Sequence, residues 1–297
     1  MTQAIFSRFH NAQVRDLVWV MASPNLLADA EWLVSDRECA EMLFAALPEL
    51  LALDRHPAPL QAWLAARKPD RLGPYFESLV AYWFAFLIDA DWYATNKIVK
   101  SGRLTQGEFD LLWRTASGSL HHWELSAKLY LQIRQDQGFA GYIGTMKQDR
   151  LDLKVAHLRD KQLHLAYTPE GISALPESGQ PVRARALFKG WLFYPRHVSN
   201  SAAAGISERH LTGWWAHWSN PEFELQPRLR WRILERLSWL APVRCNNSSE
   251  LSIEADFRDD LAAYFAGTAT PILIAGLSQG HDAWEEVTRG FIVPSGW

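Results

Sequence analysis

The sequence predicts a mixed α/β fold, and three observations carry that prediction. A long apolar stretch at helical spacing, "GPYFESLVAYWFAFLID" from Gly73, opens the middle of the chain. Three stretches of strand character follow, around "TNKIVKSGR", "GEFDLLWR" and "HHWELSAKLYLQ". A helix from about Asp149 to Leu165 and an apolar strand, "ARALFKGWLFYP", complete the order helix, three strands, helix, strand. Helices and strands alternating in this way are expected to share one core as a compact α/β unit.

Each element has a local reason. In "SDRECAEMLFAAL", Ser35 and Glu38 have capping-box spacing before a run of apolar positions at helical intervals. "PLQAWLAARK" reads as a second short helix, and Pro48, Pro57, Pro59 and Pro69 punctuate this first part. Pro74 falls in the first turn of the apolar helix, where a missing N–H costs nothing. Residues 116–119, with Gly118, make the hairpin between the second and third strands. A glycine-rich loop, Gly138 to Gly144, precedes the helix at Asp149, and a polar loop with Pro169, Pro176 and Pro181 follows it. Near the C-terminus "FRDDLAAYFAG" reads as a helix stopped by Gly267, while "PILIAGL" and "GFIVP" read as strands. With no internal repeat or low-complexity linker, residues 1–297 are expected to form a single extended domain. Within it, 1–70 is a helical extension, 71–196 the core and 197–297 a C-terminal α/β extension packed on the core.

Bulk composition narrows the function classes. Hydrophobic residues at 48% and charged residues at 21% describe a globular protein with a large core. A net charge of −3 argues against bulk electrostatic attraction to nucleic acid but leaves a local basic groove open. Cys39 and Cys245 are too few for a disulfide scaffold and lack CxxC spacing, which suits a reducing cytoplasm. The chain does not open with a signal-peptide pattern. Its longest apolar run, Leu79 to Ile88, is far short of the ~20 residues of a membrane helix, so no membrane association is expected.

Three carboxylates stand out. Alternation on "HHWELSAKLYLQ" sorts Trp123, Leu125, Ala127, Leu129 and Leu131 to one face, and His122, Glu124, Ser126, Lys128, Tyr130 and Gln132 to the other. Taken alone, the second face would be solvated, with an ion pair across it. On "GEFDLLWR" the same alternation sets Asp110 with Glu108, Leu112 and Arg114. Two antiparallel neighbours that each present a carboxylate repel unless a cation lies between them. Glu77 heads an otherwise apolar helical row continued by Ala81, Phe84 and Ile88. In the first turn it could simply answer the helix dipole. If buried, it must be paired, neutral or metal-bound. Together the three suit Mg²⁺ or Mn²⁺, a hard cation that takes a few carboxylate oxygens and completes its shell with water and phosphate. A nearby ammonium, Lys128, would stabilise charge developing on a phosphodiester or orient water.

The blocks "RLGPYFE", "GEFDLLWR", "HWELSAKLYL", "DRLDLKVAHLRDKQL" and "LFKGWLFYP" resemble, in order, those of the bacterial domain-of-unknown-function family 1853. The resemblance spans nearly the whole chain and implies a place in the PD-(D/E)xK nuclease superfamily, hence a restriction-endonuclease-like core. Carried over residue by residue, it puts the helix glutamate at Glu77, the second-strand aspartate at Asp110 and the third-strand glutamate at Glu124. The superfamily's lysine usually follows that glutamate by two residues. Here Ser126 occupies that position and Lys128 lies two residues further along the same face.

Nucleic acid, DNA or RNA, is the partner this reading implies. Arg150, Lys154, His157, Lys161 and His164 would form one basic stripe on the helix from Asp149, with Leu151, Val155, Leu158, Gln162 and Leu165 as its buried face. Partial neutralisation by Asp149, Asp152 and Asp160 leaves a solvated amphipathic helix as the competing reading. Further basic groups are Arg183, Arg185, Lys189 and Arg196, then Arg228, Arg230, Arg232 and Arg236. No Walker loop, GxGxxG or nucleophile elbow supports a nucleotide cofactor or a hydrolase triad. His121 and His122, adjacent on a strand, point apart and do not suggest zinc. Two functions follow as expectations: a metal-dependent nuclease, or a catalytically silent module of the same fold that binds nucleic acid or a protein.

Overall fold

A computed structural model describes residues 5–176, 181–196, 201–218 and 224–297. The chain packs as two compact units, one drawn from Met1–Lys128, Leu151–Gly190 and Gly205–His210, the other from Leu129–Arg150, Trp191–Ala204 and Leu211–Trp297. This division does not follow boundaries at 70 and 196, because the N-terminal helices share the first unit with the strands that carry the carboxylates.

In the first unit, helices α1 (Ala12–Ala22), α2 (Asp36–Ala45), α3 (Leu47–Arg55) and α4 (Ala58–Arg67) lead to α5 (Leu72–Phe86). The Asn11 side chain caps α1 by accepting from the N–H groups of Gln13 and Val14. Ser35 caps α2 through the Glu38 N–H at 3.1 Å, while the Glu38 carboxylate accepts from Arg185 Nη2 at 2.7 Å. Helix α5 buries Phe76, Leu79 and Trp83 completely. Polar atoms that go inside with it find partners: Trp83 Nε1 donates to the Leu17 carbonyl at 2.8 Å and Tyr75 Oη to Asp16 at 2.8 Å.

Strands β1 (Ala90–Ser101), β2 (Leu104–Thr115) and β3 (Leu120–Gln132) follow. β1 and β2 pair antiparallel, as do β2 and β3, with Leu111 opposite Trp123, Leu112 opposite His122 and Trp113 opposite His121. Gly118, at φ 87°, makes the tight turn between them. β4 (Tyr142–Gly144) pairs with the end of β3 inside the second unit.

The helix expected from Asp149 to Leu165 is not one α-helix. It runs as α6 (Leu151–His157), a π-helical turn over Leu158–Gln162 and a 3₁₀ turn over Leu163–Tyr167. α7 (Pro169–Ala174) and β5 (Val182–Pro195) follow, and in the first unit the strand order is β1-β2-β3-β5. Close approach between β5 and β3 explains Gly190, where a Cβ would stand 2.0 Å from the Lys128 carbonyl oxygen. Val99, Phe109, Leu112, Leu120, Leu165 and Ala166 form a core cluster here.

β3 and β5 both pass from the first unit into the second. There β5 pairs in parallel with β6 (Leu211–His217), and the order continues β6-β10-β9-β7 through β7 (Arg230–Leu234), β9 (Ile272–Gln279) and β10 (Trp284–Val293). β8 (Arg244–Cys245) pairs with β10. α8 (Glu254–Gly267) packs Phe257 and Leu261 against Trp231, Ile274 and Ile292. The helix and both strands expected in this region are present; Gly267 ends α8, with Thr268 already extended. Among the described residues no helix is long and apolar enough to cross a membrane.

Candidate carboxylate site

The polar face of β3 is not solvated. His122 and Glu124 are completely buried and Ser126 is 4% exposed, so the expected surface ion pair gives way to an interior polar cluster. Phe84 of α5 packs on Trp123 and Gln162 reaches Glu124, and the buried polar groups then need partners.

One step beyond the Leu111–Trp123 pair, the β2–β3 register puts Asp110 opposite Glu124, and the two carboxyl groups share a hydrogen bond. Asp110 also accepts from the Leu125 N–H at 2.8 Å. Burial and the neighbouring Glu124 charge push Asp110 up to about 7, and burial pushes Glu124 up to about 7 against the hydrogen bond it receives from Asp110. Both Glu124 oxygens are further occupied: Oε1 lies 2.7 Å from His122 Nε2, and Oε2 accepts from Gln162 Nε2. With both groups raised, the pair holds a shared proton near neutral pH. Burial lowers His122 to about 4, so the ring is neutral at pH 7 and its Nε2–H faces Glu124. Its Nδ1 is buried with no hydrogen-bond partner.

Glu77 arrives from α5. Burial raises its pKa, and the charges of Asp110 and Glu108 raise it further, while a hydrogen bond from Asn96 and the charge of Lys154 lower it. Asn96 also donates to Glu108 at 2.9 Å and sits at φ 54°, a left-handed conformation that asparagine tolerates. Of the predicted trio, Asp110 and Glu124 are in direct contact, and Glu77 lies within reach of the charge of Asp110.

The basic residues divide differently from the expected stripe. Lys154 turns toward the carboxylates: it is half-buried, its Nζ donates to Gln162 Oε1 at 3.0 Å, and its charge acts on Glu77 and Glu124. Lys161 is exposed, while Arg150 is exposed in the second unit. The π turn breaks the periodicity that would have aligned Lys154 with Lys161. Lys128 is half-buried on β3, and Ser126 Oγ, at the superfamily's usual lysine position, is buried without a partner. Two members of the next basic group are interior: Arg185 pairs with Glu38, and Lys189 donates to the Ser23 carbonyl at 2.7 Å beside Asp36. Neither is placed to meet phosphate.

The donor set fits a hard divalent cation in kind: three oxygen ligands, partly desolvated, whose mutual repulsion a cation would relieve. As arranged, however, no group of three or more His, Cys, Asp or Glu side chains among the described residues is disposed to hold a metal ion. Sequence reasoning did not find Gln162, Asn96 or the inward role of Lys154. A trace was present, since Gln162 is the one polar residue on the row Leu151, Val155, Leu158, Gln162, Leu165.

Fold and site thus define a mixed α/β protein with a buried carboxylate cluster at its β2–β3 pair. The chain belongs to the family described as Domain of unknown function (DUF1853), whose model matches residues 15–293. No curated protein and no solved structure matches it.

Proposed function

We propose that this protein is a metal-dependent phosphodiesterase acting on nucleic acid, built on a restriction-endonuclease-like core of α5, β1–β3, the helical segment from Leu151 and β5. The observation that carries the reading is the convergence of Glu77, Asp110 and Glu124, from three different elements, with the pKa of each raised. Such a cluster is costly to bury and is characteristic of functional sites. The resemblance to bacterial members of the PD-(D/E)xK superfamily favours the same residues.

In this reading Glu77, Asp110 and Glu124 would hold Mg²⁺ or Mn²⁺. The ion, when bound, supplies Lewis acidity toward the phosphodiester and a lower pKa for the attacking water. His122 and Gln162 orient Glu124 from its two oxygens. An ammonium beside the cluster offsets charge that builds on the phosphoryl oxygens, and Lys128 and Lys154 are the two candidates. Exposed Lys161 faces the solvent from which the polyanion, DNA or RNA, would approach. The free buried thiols Cys39 and Cys245 suit a cytoplasmic setting.

One observation favours a second reading, a catalytically silent binding module: both Glu124 oxygens are already hydrogen-bonded and the carboxylates do not surround one point. Calorimetric titration with Mn²⁺ separates the two. The nuclease reading expects one site, lost in Asp110→Ala, together with cleavage of labelled DNA or RNA oligonucleotides. Oligonucleotide binding with no Mn²⁺ site and no cleavage would establish the silent module.

A further inference from the structure

A cavity of about 590 Å³ lies where the end of α1 meets one face of α2, and every residue lining it belongs to the first unit. Asp36, Ala40, Leu43 and Phe44 follow at i, i+4, i+7 and i+8, the spacing of a single helical face. Met21 closes α1 on the other side, and Phe44 is 55% exposed, an aromatic surface with contact area to offer. The volume is that of a small-molecule site, about 300–1,000 Å³. Its polar lining is cationic. Arg8 and Arg209 are both exposed, and the one carboxylate lining the cavity among the described residues, Asp36, is already matched from within the fold. Asp36 accepts from the Asn25 N–H at 2.8 Å and lies 3.6 Å from the ammonium of the wholly buried Lys189. Of the five N–H donors of a guanidinium, Arg209 gives Asp36 one at Nη2, at 2.8 Å. Ser23, also in the lining, is 1% exposed, and its hydroxyl is buried with no hydrogen-bond partner among the described residues. A buried hydroxyl left unpaired is costly until an acceptor arrives.

We propose that this cavity binds a small amphipathic oxyanion, an apolar body that ends in a carboxylate or a phosphate. The head group takes guanidinium donors of Arg8 and Arg209, and the body lies against Met21, Leu43 and Phe44. Because Lys189 answers Asp36, the two arginines leave positive charge in excess at the lining. A neutral amphiphile of the same size gains the burial of its apolar body but not the charge-assisted hydrogen bonds. A cationic one is repelled by both arginines. The site is separate from the carboxylates of β2 and β3 and does not depend on the nuclease reading.

Calorimetric titration of the full chain with sodium decanoate, decyl phosphate, decanol and decyltrimethylammonium tests this. At least one of the two oxyanions should saturate a single site with Kd below ~1 mM, and about 10-fold or more tighter than decanol, the worth of one charge-assisted hydrogen bond. The tighter of the two identifies the head group. Arg8→Met and Arg209→Met, both at exposed positions, should each weaken oxyanion binding about 10-fold and leave decanol within a few-fold of wild type. Ala40→Phe fills the cavity and should abolish binding of all the ligands, with near-ultraviolet circular dichroism of the tryptophans as the check on folding. Should Ala40→Phe not fold, Phe44→Glu serves in its place: a second carboxylate in the lining, at an exposed position, should weaken both oxyanions more than decyltrimethylammonium. Four results would each overturn the proposal: no saturable oxyanion binding, decanol or decyltrimethylammonium binding as tightly as the oxyanions, oxyanion affinity unchanged in both arginine variants, or wild-type affinity in a folded Ala40→Phe.

Discussion

At the scale of single residues, Asp110 carries the clearest pH signature. Its pKa is raised from 3.8 to about 7 in the fold, so between about pH 4 and 7 the native state holds a proton that the unfolded chain has released. The linked stability is fully present below the unfolded value, falls as pH rises through this window and is lost above about 7. Asp110→Asn reproduces the protonated form, with its amide oxygen accepting from Leu125 and its NH₂ donating to Glu124. The variant should therefore melt close to wild type at pH 4 and above it at pH 8, by a few kcal/mol at ~1.4 kcal/mol per pKa unit. Melting temperatures measured across that range check it, and a wild-type curve that rises between pH 5 and 8 would remove the shared proton. If the site binds metal, Mn²⁺ should recover part of the loss at pH 8, because the ion binds the deprotonated pair.

Elements impose the next set of constraints. Close approach of β5 to β3 leaves no room for a side chain at Gly190, where a Cβ would meet the Lys128 carbonyl at 2.0 Å. Gly190→Ala should destabilise by about 1–3 kcal/mol or more, since the clash is with backbone and one of the strands has to shift. Denaturant melts would register this, and an unchanged midpoint would mean that the strands adjust freely. The segment after α6 gives a contrasting prediction. Lys161 is exposed, so Lys161→Glu should leave stability within about 0.5 kcal/mol and lower the salt dependence of oligonucleotide binding by roughly one phosphate contact. An unaltered salt slope would take this face out of the nucleic-acid interface.

For the whole molecule, each unit carries buried charge that has to be matched from within. In the second unit Arg289 is 2% exposed and donates to Glu286 Oε1 at 2.6 Å and to the carbonyls of Trp239 and Ala241 at 2.8 Å each. Arg289→Ala strands the Glu286 carboxylate inside and should cost about 3–5 kcal/mol. Equilibrium unfolding followed by tryptophan fluorescence would show the loss. A simultaneous Glu286→Gln change should recover part of it, because the stranded charge and not the missing contact dominates the penalty.

The amino-acid sequence by itself determined the helix of Leu72–Phe86, the three strands that follow it and the faces on which Glu77, Asp110 and Glu124 lie. These depend on local periodicity: the apolar run of α5, whose row Glu77 heads, and the alternation on β2 and β3, which sorts Asp110 and Glu124 to the faces opposite the apolar ones. What only tertiary structure decided was the fate of the β3 polar face, because alternation shows which residues share a face and not whether another layer covers it. It also decided the partition of the basic residues. A helix read as uniform keeps Lys154 in line with Lys161, whereas the π turn at Leu158–Gln162 re-phases the residues it contains, so that Gln162 reaches both Lys154 and Glu124 while Lys161 stays exposed. Such a turn gains its stability from partners distant in sequence, and no periodicity within the helix encodes them.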